Sequence, residues 1–254
     1  MKIRAIALNT FKEATRNKIY YLLIFFGIFF VLSSKLVTLL TIGDHVKVLK
    51  DLGLASINFF SVLIAIFTGI DLVYKEIERK TIYNILSKPI SRKCFIIGKF
   101  FGLALTLFVA LISMVVMFFL FMLLFSGELD VRILVYFILL YFELLIITSI
   151  SLLFSSISTP ILSSVFTISL YLIGHVIWTF NEFKDKIVNP IIKIISYILY
   201  YTLPNLEKFN IKNSIVMNIN IDISMILSSI CYAIFYIAAL LIFTILIFNK
   251  REFQ

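Results

Sequence analysis

The chain has 254 residues, 61% of them apolar and 15% charged, with a mean hydropathy of +1.08. Soluble domains carry about 25% charged residues and avoid large apolar patches, so a water-soluble fold is excluded. At about 20 residues per crossing, the length admits six or seven transmembrane helices. The formal charge of +9 therefore has to be read by its distribution across a membrane before it says anything about nucleic acid.

Residues 2–18 are too charged for the apolar stretch of a signal peptide. On a helical wheel Lys2, Asn9, Lys12, Glu13 and Arg16 share one arc, opposite Ile3, Ile6, Ala7, Phe11 and Ala14. That pattern predicts an amphipathic helix in the membrane interface, its cations toward anionic headgroups. Six spans are expected, at 19–40, 54–74, 100–125, 131–154, 160–180 and 223–248, within one transmembrane domain covering 1–254. Pro160 reads as a helix start, because proline in the first turn forfeits no hydrogen bond. The polar stretch 43–53 and the turn Ser126–Asp130 read as loops. The outer segment 181–222 holds an apolar run from Pro190 to Tyr201, too short to span and suited to a re-entrant or interfacial helix. Reading it as a seventh span is the alternative, and would move the basic tail to the other side.

Six spans place both termini on one side. Fourteen of the 23 Lys and Arg then share that side with four acids, whereas the other side holds nine beside eight acids. The positive-inside rule makes the first side cytoplasmic, with both termini in the cytoplasm and the chain in the cell's inner membrane. Catalytic signatures are missing: the sequence has no G-x-x-x-x-G-K-[ST], H-E-x-x-H, G-x-S-x-G or C-x-x-C. Two cysteines, Cys94 and Cys231, and two histidines, His45 and His175, support neither a disulfide framework nor a metal cluster. No catalytic, cofactor or metal residue is expected, and no nucleic-acid partner; the surroundings are membrane lipid.

The inner segment 75–99 is the most informative. It continues the second span with Glu76, Glu78, Arg79 and Lys80, then shows an apolar face at Ile77, Ile82, Ile85 and Leu86. Pro89 breaks the helix and Ser91 can cap the next. A short amphipathic helix joined stiffly to two spans suits docking to a cytoplasmic partner.

Glu78-Arg79-Lys80-Thr81-Ile82-Tyr83-Asn84-Ile85-Leu86-Ser87-Lys88-Pro89-Ile90-Ser91-Arg92, followed by Gly98-Lys99, resembles the E-x-x-x-T-…-L-L-x-x-P-x-S-R-…-G-K stretch of ABC transporter permeases of the type-2 exporter class. Asn9-Thr10-Phe11-Lys12-Glu13-Ala14 and Arg16 resemble their interfacial elbow helix. Gly174-His175, Leu203-Pro204-Asn205-Leu206 through Phe209-Asn210, and Arg251-Glu252-Phe253 also match, and the permeases of nitrous-oxide-reductase maturation exporters look most similar. The resemblance implies a half-size subunit that pairs with a second copy or a close paralogue, and with a separate ATPase that holds ATP and Mg. Segment 75–99 would be the coupling segment, its coupling helix at about Glu76–Leu86 docking through Ile82, Ile85 and Leu86, with Glu78, Arg79, Pro89 and Arg92 setting register and shape. The second and fifth spans would border the substrate pathway, which nominates Phe59, Phe60, Phe67, Phe166 and Tyr171. A secondary transporter or channel is the alternative function; such proteins show paired repeats or interrupted helices, and neither stands out here.

Three ionisable groups fall within spans, where charge is expensive. Asp71 lies ~25 Å along the second span and can pair with Lys75 one turn on. Glu143 lies ~18 Å from the outer end of the fourth span and His175 ~22 Å from the inner end of the fifth. Counted in a ~30 Å core, these two differ in depth by roughly 10 Å, which makes them poor partners unless the helices tilt.

Overall fold

A computed structural model describes residues 2–39, 44–78, 91–127, 130–179, 190–217, 219–220 and 222–250, with backbone alone at 39, 72–78, 190, 191 and 195. The described residues are helical, with no strand among them. The helices are α1 (Lys2–Thr15), α2 (Lys18–Leu39), α3 (His45–Glu78), α4 (Arg92–Phe125), α5 (Arg132–Ser155), α6 (Pro160–Val176), α7 (Pro190–Thr202), α8 (Lys212–Val216) and α9 (Ile223–Lys250). A 3-10 turn, Leu206–Phe209, precedes α8.

Five of these helices, α2, α3, α4, α5 and α9, are long and apolar enough to cross a membrane. The fifth expected span differs. Its helix α6 has 17 residues, ~25 Å of rise against a hydrocarbon core of about 30 Å. It begins with Pro160 in the first turn, as expected, and closes where the Ile177 amide donates to Ile173 O. Helix α7 has 13 residues, ~20 Å, and is shorter still.

Two helix starts differ in what decides them, one a local cap and the other partners from distant elements. Ser91 caps α4, its Oγ accepting from Cys94 N at 3.3 Å, so the helix starts well before the apolar run. Helix α3 begins at His45 rather than Leu54. The polar residues of 45–53, expected as a loop, stay helical because their charges find partners on other elements. Lys50 Nζ lies 3.1 Å from Asp130 Oδ2, and Lys212 Nζ 3.0 Å from Asp51 Oδ1.

Helices α3 and α5 form the buried centre, packed on one another, with α2 against α3, α9 against α5, and α4 touching both central helices. Gly69 lets α3 approach Ser151 of α5, where a Cβ would collide with the serine side chain. Close approach at small residues is how helices associate where no hydrophobic effect separates lipid from protein. Helix α1 lies along the start of α4: a Cβ at Gly98 would meet Ile6 and one at Gly102 would meet Thr10. Buried Lys99 adds an ion pair to Glu13 at 3.6 Å. One end of the bundle, here proximal, carries Asn17, Asp71, Arg92, the Ser155–Pro160 turn and Lys250. The distal end carries His45, Asp130, Val176, the 3-10 turn and Ile223.

Candidate functional site

The distal end holds a cavity of about 400 Å³. Its walls are Asn58 and Phe59 of α3, Tyr136 of α5, Tyr171 and His175 of α6, and Asn210 and Lys212 beyond the 3-10 turn. Beside it, His175 bridges two carboxylates. Its Nε2 lies 3.1 Å from Glu143 Oε1 and its Nδ1 lies 3.0 Å from Glu207 Oε2. Asn210 Nδ2 donates to the other Glu207 oxygen at 2.9 Å. Three elements meet in this triad: α5 supplies Glu143, α6 supplies His175, and the 3-10 turn supplies Glu207.

Glu143 and His175 are therefore direct partners, against the depth difference expected from the sequence. The physical reason is the choice of origin. Helices α5 and α6 are antiparallel neighbours joined by the short turn after Ser155, and depth is shared only when counted from that turn. Glu143 is then ~18 Å away and His175 ~22 Å, a gap of about one helical turn. Counting inward from opposite faces of an assumed core fails because α5 spans ~36 Å and α6 only ~25 Å.

Gly174 brings the 3-10 turn in. A Cβ there would stand 2.8 Å from Leu206 Cγ and 2.9 Å from the Pro204 carbonyl oxygen. Only glycine lets that backbone lie against α6, and the approach carries Glu207 to His175. The cavity wall has its own weaker hydrogen bonds. Asn58 Nδ2 donates to Tyr136 Oη at 3.4 Å, Tyr136 Oη donates to Leu54 O at 3.4 Å, and Tyr171 Oη donates to Asn58 Oδ1 at 3.5 Å. The Tyr171 ring meets the His175 ring edge-on at 4.8 Å.

The other nominated residues are dispersed. Phe59 and Tyr171 line the distal cavity. Phe60 is buried against α2, its ring 5.3 Å from Phe30 and 6.4 Å from Phe26. Phe166 stacks on Phe154 at 5.2 Å. Phe67 and Asp71 line a second, proximal cavity of about 170 Å³ with Asn17, Thr68, Pro160 and Ser164. There Asn17 Nδ2 donates to Asp71 Oδ2 at 2.9 Å, pinning the α1–α2 corner to α3; the side chain of Lys75 lies outside the described residues. Of the docking residues, Arg79, Ile82, Ile85, Leu86 and Pro89 lie outside the described residues, and Glu78 is the last residue of α3. Arg92 opens α4, where its Nη1 donates to the carbonyls of Phe248 at 2.9 Å and Asn249 at 3.0 Å, capping the end of α9.

Sequence reasoning missed Asn58, Tyr136, Glu207, Asn210 and Lys212. An asparagine inside an apolar run was a usable signal for Asn58. Glu207 directly follows the Leu203–Leu206 stretch that drew attention, but nothing local points it at a histidine 32 residues earlier. Among the described residues no group of His, Cys, Asp and Glu has the arrangement to hold a metal ion. The triad uses both imidazole nitrogens for carboxylates instead.

No curated protein matches the sequence. The model of a family described as "ABC-2 family transporter protein" matches residues 4–253. With that match over nearly the whole length, and its long apolar helices, the chain belongs to the ABC-2 transporter family as a multi-pass transmembrane permease.

Proposed function

We propose that the chain is the transmembrane subunit of an ATP-binding-cassette exporter. It pairs with a second copy or a close paralogue, and a separate cytoplasmic ATPase, holding ATP and Mg, drives it. The observation that carries this reading is the family match over residues 4–253 in a sequence with no phosphate-binding loop of its own. The chain resides in the inner membrane with both termini cytoplasmic, which makes the proximal end the cytoplasmic one. Among exporters of this class, the stretch 78–99 aligns it most naturally with the nitrous-oxide-reductase maturation branch.

Helices α3 and α4 flank the coupling segment. Each has 34 residues, ~51 Å of rise, far more than a hydrocarbon core of about 30 Å requires. Such helices act as levers. Helix α3 runs without interruption from Glu78, beside the coupling segment, through Phe67 and Asp71 at the proximal cavity, to Asn58 and Phe59 at the distal one. Nucleotide-driven movement of the docked segment is then delivered along one rigid element to both cavities.

The test replaces Ile85 and Leu86 by Asp in a chain expressed together with the ATP-binding-cassette ATPase subunits of its source cell. Buried apolar anchors carry most interface energy, so I85D/L86D abolishes co-purification while membrane insertion persists. Retained co-purification removes the docking assignment. Failure of any ATPase to co-purify with the wild type overturns the exporter reading in favour of a transporter or channel that needs none.

A further inference from the structure

The Glu143–His175–Glu207 triad has a proton count that its geometry dictates. An ionised carboxylate only accepts hydrogen bonds, and a neutral imidazole carries one N–H and one lone pair. Two contacts of 3.1 and 3.0 Å, one at each ring nitrogen, therefore need two protons shared among the three groups. Neutral histidine supplies one. The second resides either on the ring, as imidazolium, or on one carboxyl, which then donates to the ring lone pair. Without it, one nitrogen lone pair faces carboxylate lone pairs, and that contact turns repulsive.

We propose that Glu143, His175 and Glu207 form a proton-binding site, and that the bound proton clasps the 3-10 turn to α6 beside the distal cavity. A route for the proton is present. Side-chain exposure rises from 1% at Glu143 through 23% at His175 to 31% at Glu207, so the proton reaches the ring from solvent by way of Glu207. The same gradient decides which bond opens on deprotonation. Buried Glu143 has no water to replace its partner, so the remaining N–H stays on Nε2. Glu207 is held also by Asn210 and can be hydrated, so the contact with Nδ1 parts. Rising pH then releases the turn, and acid closes it.

The surrounding charged and titratable groups leave the proton to the triad. Lys212 of α8 is engaged by Asp51 of α3 at 3.0 Å. Lys208 of the 3-10 turn stands 4.4 Å from the centre of the Tyr232 ring of α9. Tyr171 of α6 and Tyr136 of α5 point their hydroxyls at Asn58 and Leu54.

The chain carries its own probe. Trp178, three residues beyond His175, is its single tryptophan and is partly exposed. The full-length protein, reconstituted in lipid nanodiscs, is titrated between about pH 5 and about pH 10.5 while Trp178 emission and its quenching by acrylamide are recorded. The wild type shows one single-proton transition, with quenching greater on the alkaline side. H175Q abolishes that transition, while H45Q, changing the only other histidine, keeps it. E207Q, a substitution at the rim that spares the bundle interior, leaves one carboxylate beside the ring and moves the midpoint toward lower pH by about one unit or more. A flat wild-type titration overturns the proposal. So does a transition that H175Q leaves in place, one that H45Q removes, or an E207Q midpoint equal to that of the wild type.

Discussion

Among the described residues of the distal end, two three-residue charge clusters each join separate elements, and they differ in kind. Lys50, Asp130 and Arg132 link the start of α3 to the connection between α4 and α5. Lys50 Nζ lies 3.1 Å from Asp130 Oδ2, and Arg132 Nε donates to Asp130 Oδ1 at 2.9 Å. Two basic side chains serve one carboxylate there. Burial pushes the Asp130 carboxyl up, but hydrogen bonds from Arg132 and Lys50 outweigh it and hold the group below the usual carboxylate range. The Glu143–His175–Glu207 triad instead gives two carboxylates to one ring that can lose a proton. The start of α3 is thus fastened to the α4–α5 connection through the Asp130 carboxylate, which is held below the usual range. Helix α6 and the 3-10 turn are fastened through a ring whose two contacts depend on a bound proton. A transporter with this division can open at one seam and keep its frame.

Breaking the Lys50–Asp130–Arg132 cluster has the largest effect. D130A leaves Lys50, almost fully buried, without that carboxylate; the thermal stability of the purified protein falls by about 3 kcal/mol. G174A is next. It forces a Cβ against the Pro204 carbonyl, which as backbone cannot step aside, and costs about 1–2 kcal/mol. Increased acrylamide quenching of Trp178 at constant pH locates that damage at the α6 seam.

These two substitutions also mark what could be read in the chain. Pro160 as a start, Ser91 as a cap, and a short helix from Pro190 were legible because each depends on residues within one turn. The helical nature of 45–53 was not, because Lys50 and Asp51 are made tolerable by partners at 130 and 212. Glu143 and His175 were recognisable as costly intramembrane groups, yet their pairing required the common turn as the origin for depth. Glu207 was hidden for the same reason as Lys50, since its partner comes from a different element. Gly174 shows the limit most plainly: a glycine next to a histidine drew notice, but only the approach of Leu206 and Pro204 explains it.

Acid separates the two clusters by sign. Asp130 has a depressed folded-state pKa, so its contribution is present above the unfolded value of about 3.9 and is lost as pH falls through the folded value. Melting temperature therefore declines below about pH 4 in the wild type and declines less in D130N, whereas the triad gains its proton in the same direction and stays closed. The smallest effect belongs to Y171F. It removes one 3.5 Å hydrogen bond to Asn58 and changes stability by about 0.6 kcal/mol or less, so both clusters remain as they were.

The most direct measurement is hydrogen–deuterium exchange on the full-length protein at about pH 6 and about pH 10.5, corrected for the intrinsic chemical rate at each pH. The account predicts a gain in exchange at the higher pH in peptides covering 171–179 and 203–210, with peptides covering 47–54 and 130–136 unchanged. Equal change in both pairs of peptides, or none at 171–179 and 203–210, would contradict it.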